Sequence, residues 1–146
     1  MNKDWYKWIT ASITQHFNTA LSSYTMSVSG EPPLSSEESE WIWLNVLEQN
    51  AVERNKDYWE IKVQIVMLAT VTIANDLYAL EKILGAISSA FSTCIEVKEY
   101  GDGDAVLGSL MRTNDEIIKT DLGKPTAQDD LKQGTISGIY EIQLNV

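Results

Sequence analysis

The chain has 146 residues, 44% hydrophobic and 22% charged, and this sets the expectation of one globular domain spanning 1–146. Its net charge of −10 argues against gripping DNA or RNA through phosphates, which takes clustered Lys and Arg. One Cys and one His exclude an intrachain disulfide and the usual zinc ligand sets.

The start, MNKDWYKW, lacks the apolar core of a signal peptide, and no apolar run reaches the ~18 residues of a membrane span. Both fit a cytosolic protein. Residues 4–24 predict an amphipathic helix, because Trp5, Trp8, Ile9, Ile13, Phe17, Ala20, Leu21 and Tyr24 recur at three- and four-residue steps. Asn2 or Asp4 would cap it. Its other face is Ser, Thr, Gln and Asn, suited to solvent or to a partner. Residues 27–40, with Gly30, Pro32, Pro33 and a Ser/Glu cluster, read as a loop.

Trp41–Leu47 reads as a strand apolar on both faces, and 48–56 as a long hairpin connection. The run Asp57–Thr72 then alternates: Trp59, Ile61, Val63, Ile65 and Met67 point one way, and Tyr58, Glu60, Lys62 and Gln64 the other. That period of two is a strand with one buried face. Val66 and Leu68 make its far half apolar on both faces, which predicts cover from both sides. One part of that cover would be a helix of the same chain; the other, a second helix or a neighbouring subunit.

Asn75 or Asp76 would cap a second helix, Leu77–Phe91, striped by Leu77, Leu80, Leu84, Ile87 and Phe91. Gly85 inside it costs ~1 kcal/mol relative to Ala, and close packing against a sheet would be one reason for it. Thr93–Tyr100 reads as a strand, Gly101–Asp104 as a turn and Ala105–Met111 as a short strand. Residues 114–128 read as a loop ordered by a neighbour. Gly134–Val146 closes the chain as an alternating strand, with Ile136, Tyr140, Ile142, Leu144 and Val146 on one side. Two amphipathic helices in the order α-β-β-α-β-(β)-β predict an α+β fold, a mainly antiparallel β-sheet packed with both helices.

No motif for catalysis accompanies this order. Asp102 and Asp104 sit in GDGD, but Ala-Val-Leu follows where a calcium loop needs oxygen ligands, so a turn is the better reading. His16 lies at the edge of the first helix's stripe with no Ser or Cys motif nearby, and Cys94 reads as a packed thiol at the start of a strand. Trp41, Trp43 and Trp59 form an aromatic group on two strands expected to pair. Burial under a helix or another subunit explains it better than a stacking platform for bases or sugars. The acidic stretch 31–48 reads as a solvated loop, or as a negative rim on an assembly. The expectation is no catalytic residue, cofactor or metal.

The layout resembles the tail-terminator (tail-completion) proteins of long-tailed bacteriophages. The pieces that carry the resemblance are ITASITQHFNTAL, WIWLNVL with YWEIKVQIVMLA, DLYALEKILGAISSAF and GIYEIQLNV. It covers most of the chain but is a pattern of elements, and residues 101–130 depart from it. The resemblance implies a non-enzymatic virion protein: a hexameric ring that caps the tail tube, ends its polymerisation and meets the neck. Its partners would be copies of itself, the tail-tube protein and the neck or connector protein, with DNA passing through unbound. Its place would be the virion tail near the neck, after assembly in the host cytoplasm. The alternatives are a neck, head–tail connector or tail-tube protein, or an acidic host-side adaptor.

A ring subunit needs two different patches. The polar segments 49–56 and 101–130 are expected to supply them, mobile alone and ordered in the assembly. The candidate interface residues are Asn50, Glu53, Arg54 and Asn55 in the first segment. In the second they are Arg112, Asp115, Glu116, Lys119, Asp121 and Lys124.

Overall fold

The computed structural model describes residues 4–28, 40–72, 78–101, 103–113, 117–123 and 131–145, and at 121–123, 131 and 145 the backbone alone. Within these it is an α+β fold of two helices and seven strands: α1 (Trp5–Ala20), β1 (Thr25–Val28), β2 (Glu40–Asn55), β3 (Tyr58–Thr72), α2 (Ala79–Ala90), β4 (Cys94–Glu99), β5 (Ala105–Arg112), β6 (Ile118–Gly123) and β7 (Leu131–Asn145). The strands form one sheet in the order β1-β2-β3-β7-β5-β4, with β6 also on β7.

The sheet is mixed, which refines the expected antiparallel arrangement. Five pairings are antiparallel, but β1 runs parallel to β2, with Thr25 opposite Trp41 and Val28 opposite Leu44. β1 was hidden in the sequence, because Ser27 and Val28 open a stretch rich in Ser, Pro and Glu. It also ends α1 at Ala20 rather than at 24: Leu21 and Tyr24 are already turning the chain. Asp4 holds the N-cap position of α1 without a side-chain cap bond.

The larger correction concerns 48–56. It is no loose connection but the outer half of β2, paired with β3 from Glu48–Gln64 to Asn55–Tyr58. Ladder bonds come from the main chain, so a partner strand can order residues that lack an apolar pattern of their own. A bulge at Leu47 separates the two halves, and the turn itself is Lys56–Asp57, with Asp57 at φ 66°. Segment 114–128 also needs correcting, since it contains β6, paired with β7 from Ile118–Ser137 to Gly123–Gln133.

β3 is the central strand, and its alternation divides the sheet into two faces. Ile61, Val63, Ile65, Met67, Ala69 and Val71 are buried on the inner face, beside Ile42 and Leu44 of β2 and Ile136, Tyr140, Ile142 and Leu144 of β7. Both helices lie on this face. α2 meets it through Leu84, which abuts Gly134, and Phe91 just beyond it, which abuts Gly138. α1 meets it through Phe17, 5.0 Å from the Phe91 ring, and through Thr10, hydrogen-bonded to Gln49. α1 also runs along β4, the last strand of the sheet, where the buried Ser12 hydroxyl accepts the Lys98 N–H at 3.0 Å. Burying each large aliphatic side chain in this layer contributes roughly 1.5–3 kcal/mol.

Two further expectations fall to this geometry. Gly85 is exposed, with nothing within 4 Å of where a Cβ would stand, so no close approach to the sheet requires it. The three tryptophans do not form one group. Trp41 and Trp43 pair with Thr70 and Leu68 on the outer face, whereas Trp59 pairs with Leu144 on the inner one. The proposed caps Asn75 and Asp76 lie outside the described residues.

Candidate partner surface

Among the described residues neither helix covers the outer face of β2, β3, β7, β5 and β6. Trp43, Val66 and Leu68 are half-buried there. Val52, Met111, Ile118 and Ile139 are exposed by 39–52% within a polar surround. Exposed apolar side chains grouped among charged ones make this face a candidate partner surface.

Its charged centre is built by register. β3 places Glu60 opposite Gln143 of β7 and Lys62 opposite Glu141. Beyond the second irregularity of β2, Arg54 turns to Glu60, donating from Nη2 at 3.2 Å and from Nε at 3.4 Å. That hydrogen bond holds the Glu60 carboxyl below the usual carboxylate range and the Arg54 guanidinium above its own. Glu141 moves the other way: burial, then the negative charge of Glu60, pushes its carboxyl up. Beside it a shallow cavity of about 360 Å³ is lined by Ser109, Met111, Arg112, Thr113, Glu141 and Gln143.

The candidate interface residues distribute unevenly around this centre. Arg54 belongs to it. Asn50 lies on the same face opposite Lys62 and donates to Glu48 at 2.6 Å. Glu53 and Asn55 are exposed near the hairpin end, opposite Trp59 and Tyr58. Lys119 lies on β6 and forms an ion pair with Glu81 of α2. Asp121 has its backbone opposite Gly134. Arg112 points inward instead: it is half-buried, and Nη1 donates to the Phe91 carbonyl at 2.7 Å. Asp115, Glu116 and Lys124 lie outside the described residues. Glu60, Lys62, Glu141, Met111 and Ile139 were missed, because only the β3–β7 and β5–β7 registers bring them together.

Arg112 shares its task with two other groups. The Tyr140 hydroxyl donates to the Ser92 carbonyl at 2.6 Å, and His16 Nε2 lies 2.8 Å from the Ala90 carbonyl. Together they fix the passage from α2 into β4. With Nε2 donating to a carbonyl, His16 cannot accept a proton there, so its 3.4 Å contact with Ser92 Oγ is no base–nucleophile pair. Cys94 opens β4 as expected but is an exposed thiol, not a packed one. Gly101, Gly103 and Asp104 all have positive φ and build the turn between β4 and β5. No cluster of three His, Cys, Asp or Glu side chains among the described residues is placed to hold a metal ion. No described helix is long and apolar enough to cross a membrane.

No protein-family model matches the chain, and no curated protein does. A solved structure whose name carries no function matches with a TM-score of 0.61 over 94% of each chain, at 12% identity. A likeness at that identity carries the fold alone.

Proposed function

We propose that this chain is a non-enzymatic structural subunit of a long-tailed bacteriophage virion, the tail terminator. In this reading a homo-oligomeric ring of it ends tail-tube growth and meets the neck. The observation that supports the reading best is the long β2–β3 hairpin in a sheet whose two helices occupy one face. Among the described residues the opposite face carries exposed apolar side chains, Val52, Met111, Ile118 and Ile139, beside charged ones, which a neighbouring copy or the tube could meet. The sequence resemblance supports the terminator over other virion positions. The acidic balance supports it too, since a negative lumen repels the phosphates of passing DNA. A neck or connector position uses the same features.

The test is assembly. Native mass measurement of the purified protein, alone and with tail-tube protein, should give a closed ring-sized species and tubes of uniform length. A compact monomer that leaves tube length unchanged refutes the reading. A monomer that instead binds a basic protein favours the acidic adaptor.

A further inference from the structure

β6 lies on the edge of β7: among the described residues it pairs with that strand alone, and its register slips between Asp121 and Gly123. The side chains of Ile118, Lys119 and Thr120 are all exposed, and only Ile117, just before them, leans on the core. Among its described side chains the tie to the rest of the fold is the exposed Lys119–Glu81 ion pair, a class of contact that adds little in water. Through residues 118–120 the strand is held chiefly by its ladder of main-chain bonds. β5, by contrast, ends pinned: Arg112 donates to Phe91, and the Thr113 N–H donates to the Ile139 carbonyl at 3.0 Å.

The β7 edge is a slot shaped for a strand backbone. At Gly134 an added Cβ would lie 3.3 Å from the Thr120 carbonyl oxygen and 2.8 Å from Leu84 Cδ1. Left empty, the edge over 133–137 would present unpaired N–H and C=O groups that demand partners. Every copy of this chain carries a strand that fits.

We propose that β6 is exchanged between copies, the β6 of one copy pairing with residues 133–137 of β7 in the next. The proposal names the contact that joins the copies, and so rests on the reading of the chain as a ring subunit. The closed and exchanged forms make the same ladder bonds, so the ladder is conserved on exchange. Lys119 carries a positive charge to Glu81 of the partner subunit, which offsets part of the repulsion between chains of net charge −10. The pinned end of β5 keeps the rest of the sheet intact while β6 moves.

The test uses the full chain with Cys94→Ser, Thr120→Cys and Thr135→Cys. Positions 120 and 135 face each other in the ladder. Directly opposed antiparallel residues lie about 4.5–5.5 Å apart at Cα, within disulfide reach. The protein is concentrated, its native mass measured, then oxidised and run on a denaturing gel without reductant. Exchange predicts multimers by native mass and a covalent ladder of dimers and higher species. Multimers by native mass with only monomer bands overturn exchange and leave the ring reading standing. Monomers in both overturn the two together, and the native mass identifies that case. If this variant does not fold, Ile118→Cys with Ser137→Cys, another facing pair, gives the same readout. Oxidation at high dilution, before concentration, should trap the closed monomer and lower the assembled fraction at least tenfold, reversibly with reductant. Equal assembly of the oxidised and reduced protein refutes the exchange.

Discussion

Tyr140 shows how one side chain can serve the core and a junction at once. Its ring is buried and lies 6.3 Å from Phe91, while its hydroxyl donates to the Ser92 carbonyl. Burial pushes the phenol up from 10.0 to about 12. The folded state therefore holds this proton more tightly than the unfolded chain. The stabilisation is complete below pH 10 and is lost as pH rises through about 12. Alkaline unfolding followed by circular dichroism should show a stability loss across that window, and Tyr140→Phe should flatten it. The same substitution should cost about 1 kcal/mol at neutral pH by leaving the Ser92 carbonyl without its partner. Ile65 is fully buried at the centre of β3, where a charge would be cut off from water. Ile65→Asp should lower stability by several kcal/mol in denaturant titration. An unchanged midpoint refutes its placement.

At the scale of elements, the legible parts were those whose side chains had to choose a face. The alternation from Trp59 to Met67, the α2 stripe and the last strand could be read directly, because burial on one side dictates residue type. β1, the outer half of β2 and β6 could not. Their residues are mostly polar, and their order comes from main-chain pairing with strands distant in sequence. The Arg54–Glu60–Glu141 centre was illegible for the same reason: a shift of one residue in the β3–β7 register would send these groups to opposite faces. Two predictions belong here. Gly85→Ala has open space for its methyl group and should stabilise α2 by up to about 1 kcal/mol in thermal melts. Glu141→Gln removes a carboxylate disfavoured by burial and by Glu60. It should raise Tm at neutral pH. A carboxyl with a raised folded pKa destabilises only when ionised, so the gain should shrink as pH falls through the carboxylate range.

For the whole molecule, the arrangement is one-sided. Among the described residues both helices pack on one face of the sheet; the other face is buried around Trp41 and Thr70 and exposed toward the β2–β3 hairpin and β7. At a net charge of −10, copies of the chain repel one another at long range, so the proposed contacts between them would have to combine shape with local charge pairing. Arg54 and Lys62 supply positive groups on the outer face and Lys119 one on the helix-bearing face, each set against a Glu.

The Ser12 hydroxyl has a consequence for the fate of the protein at high expression. An uncovered β4 would be a template for open-ended stacking into fibrils, with CIEVKE presenting β-prone residues to any passing chain. α1 lies along it, and Ser12 already occupies the Lys98 donor. The serine acts as a gatekeeper, denying growth at this end of the sheet. Ser12→Ala should leave the far-ultraviolet spectrum unchanged and shorten the lag before amyloid-dye-positive aggregates form. A lag equal to that of the parent protein would show that the helix alone is the barrier.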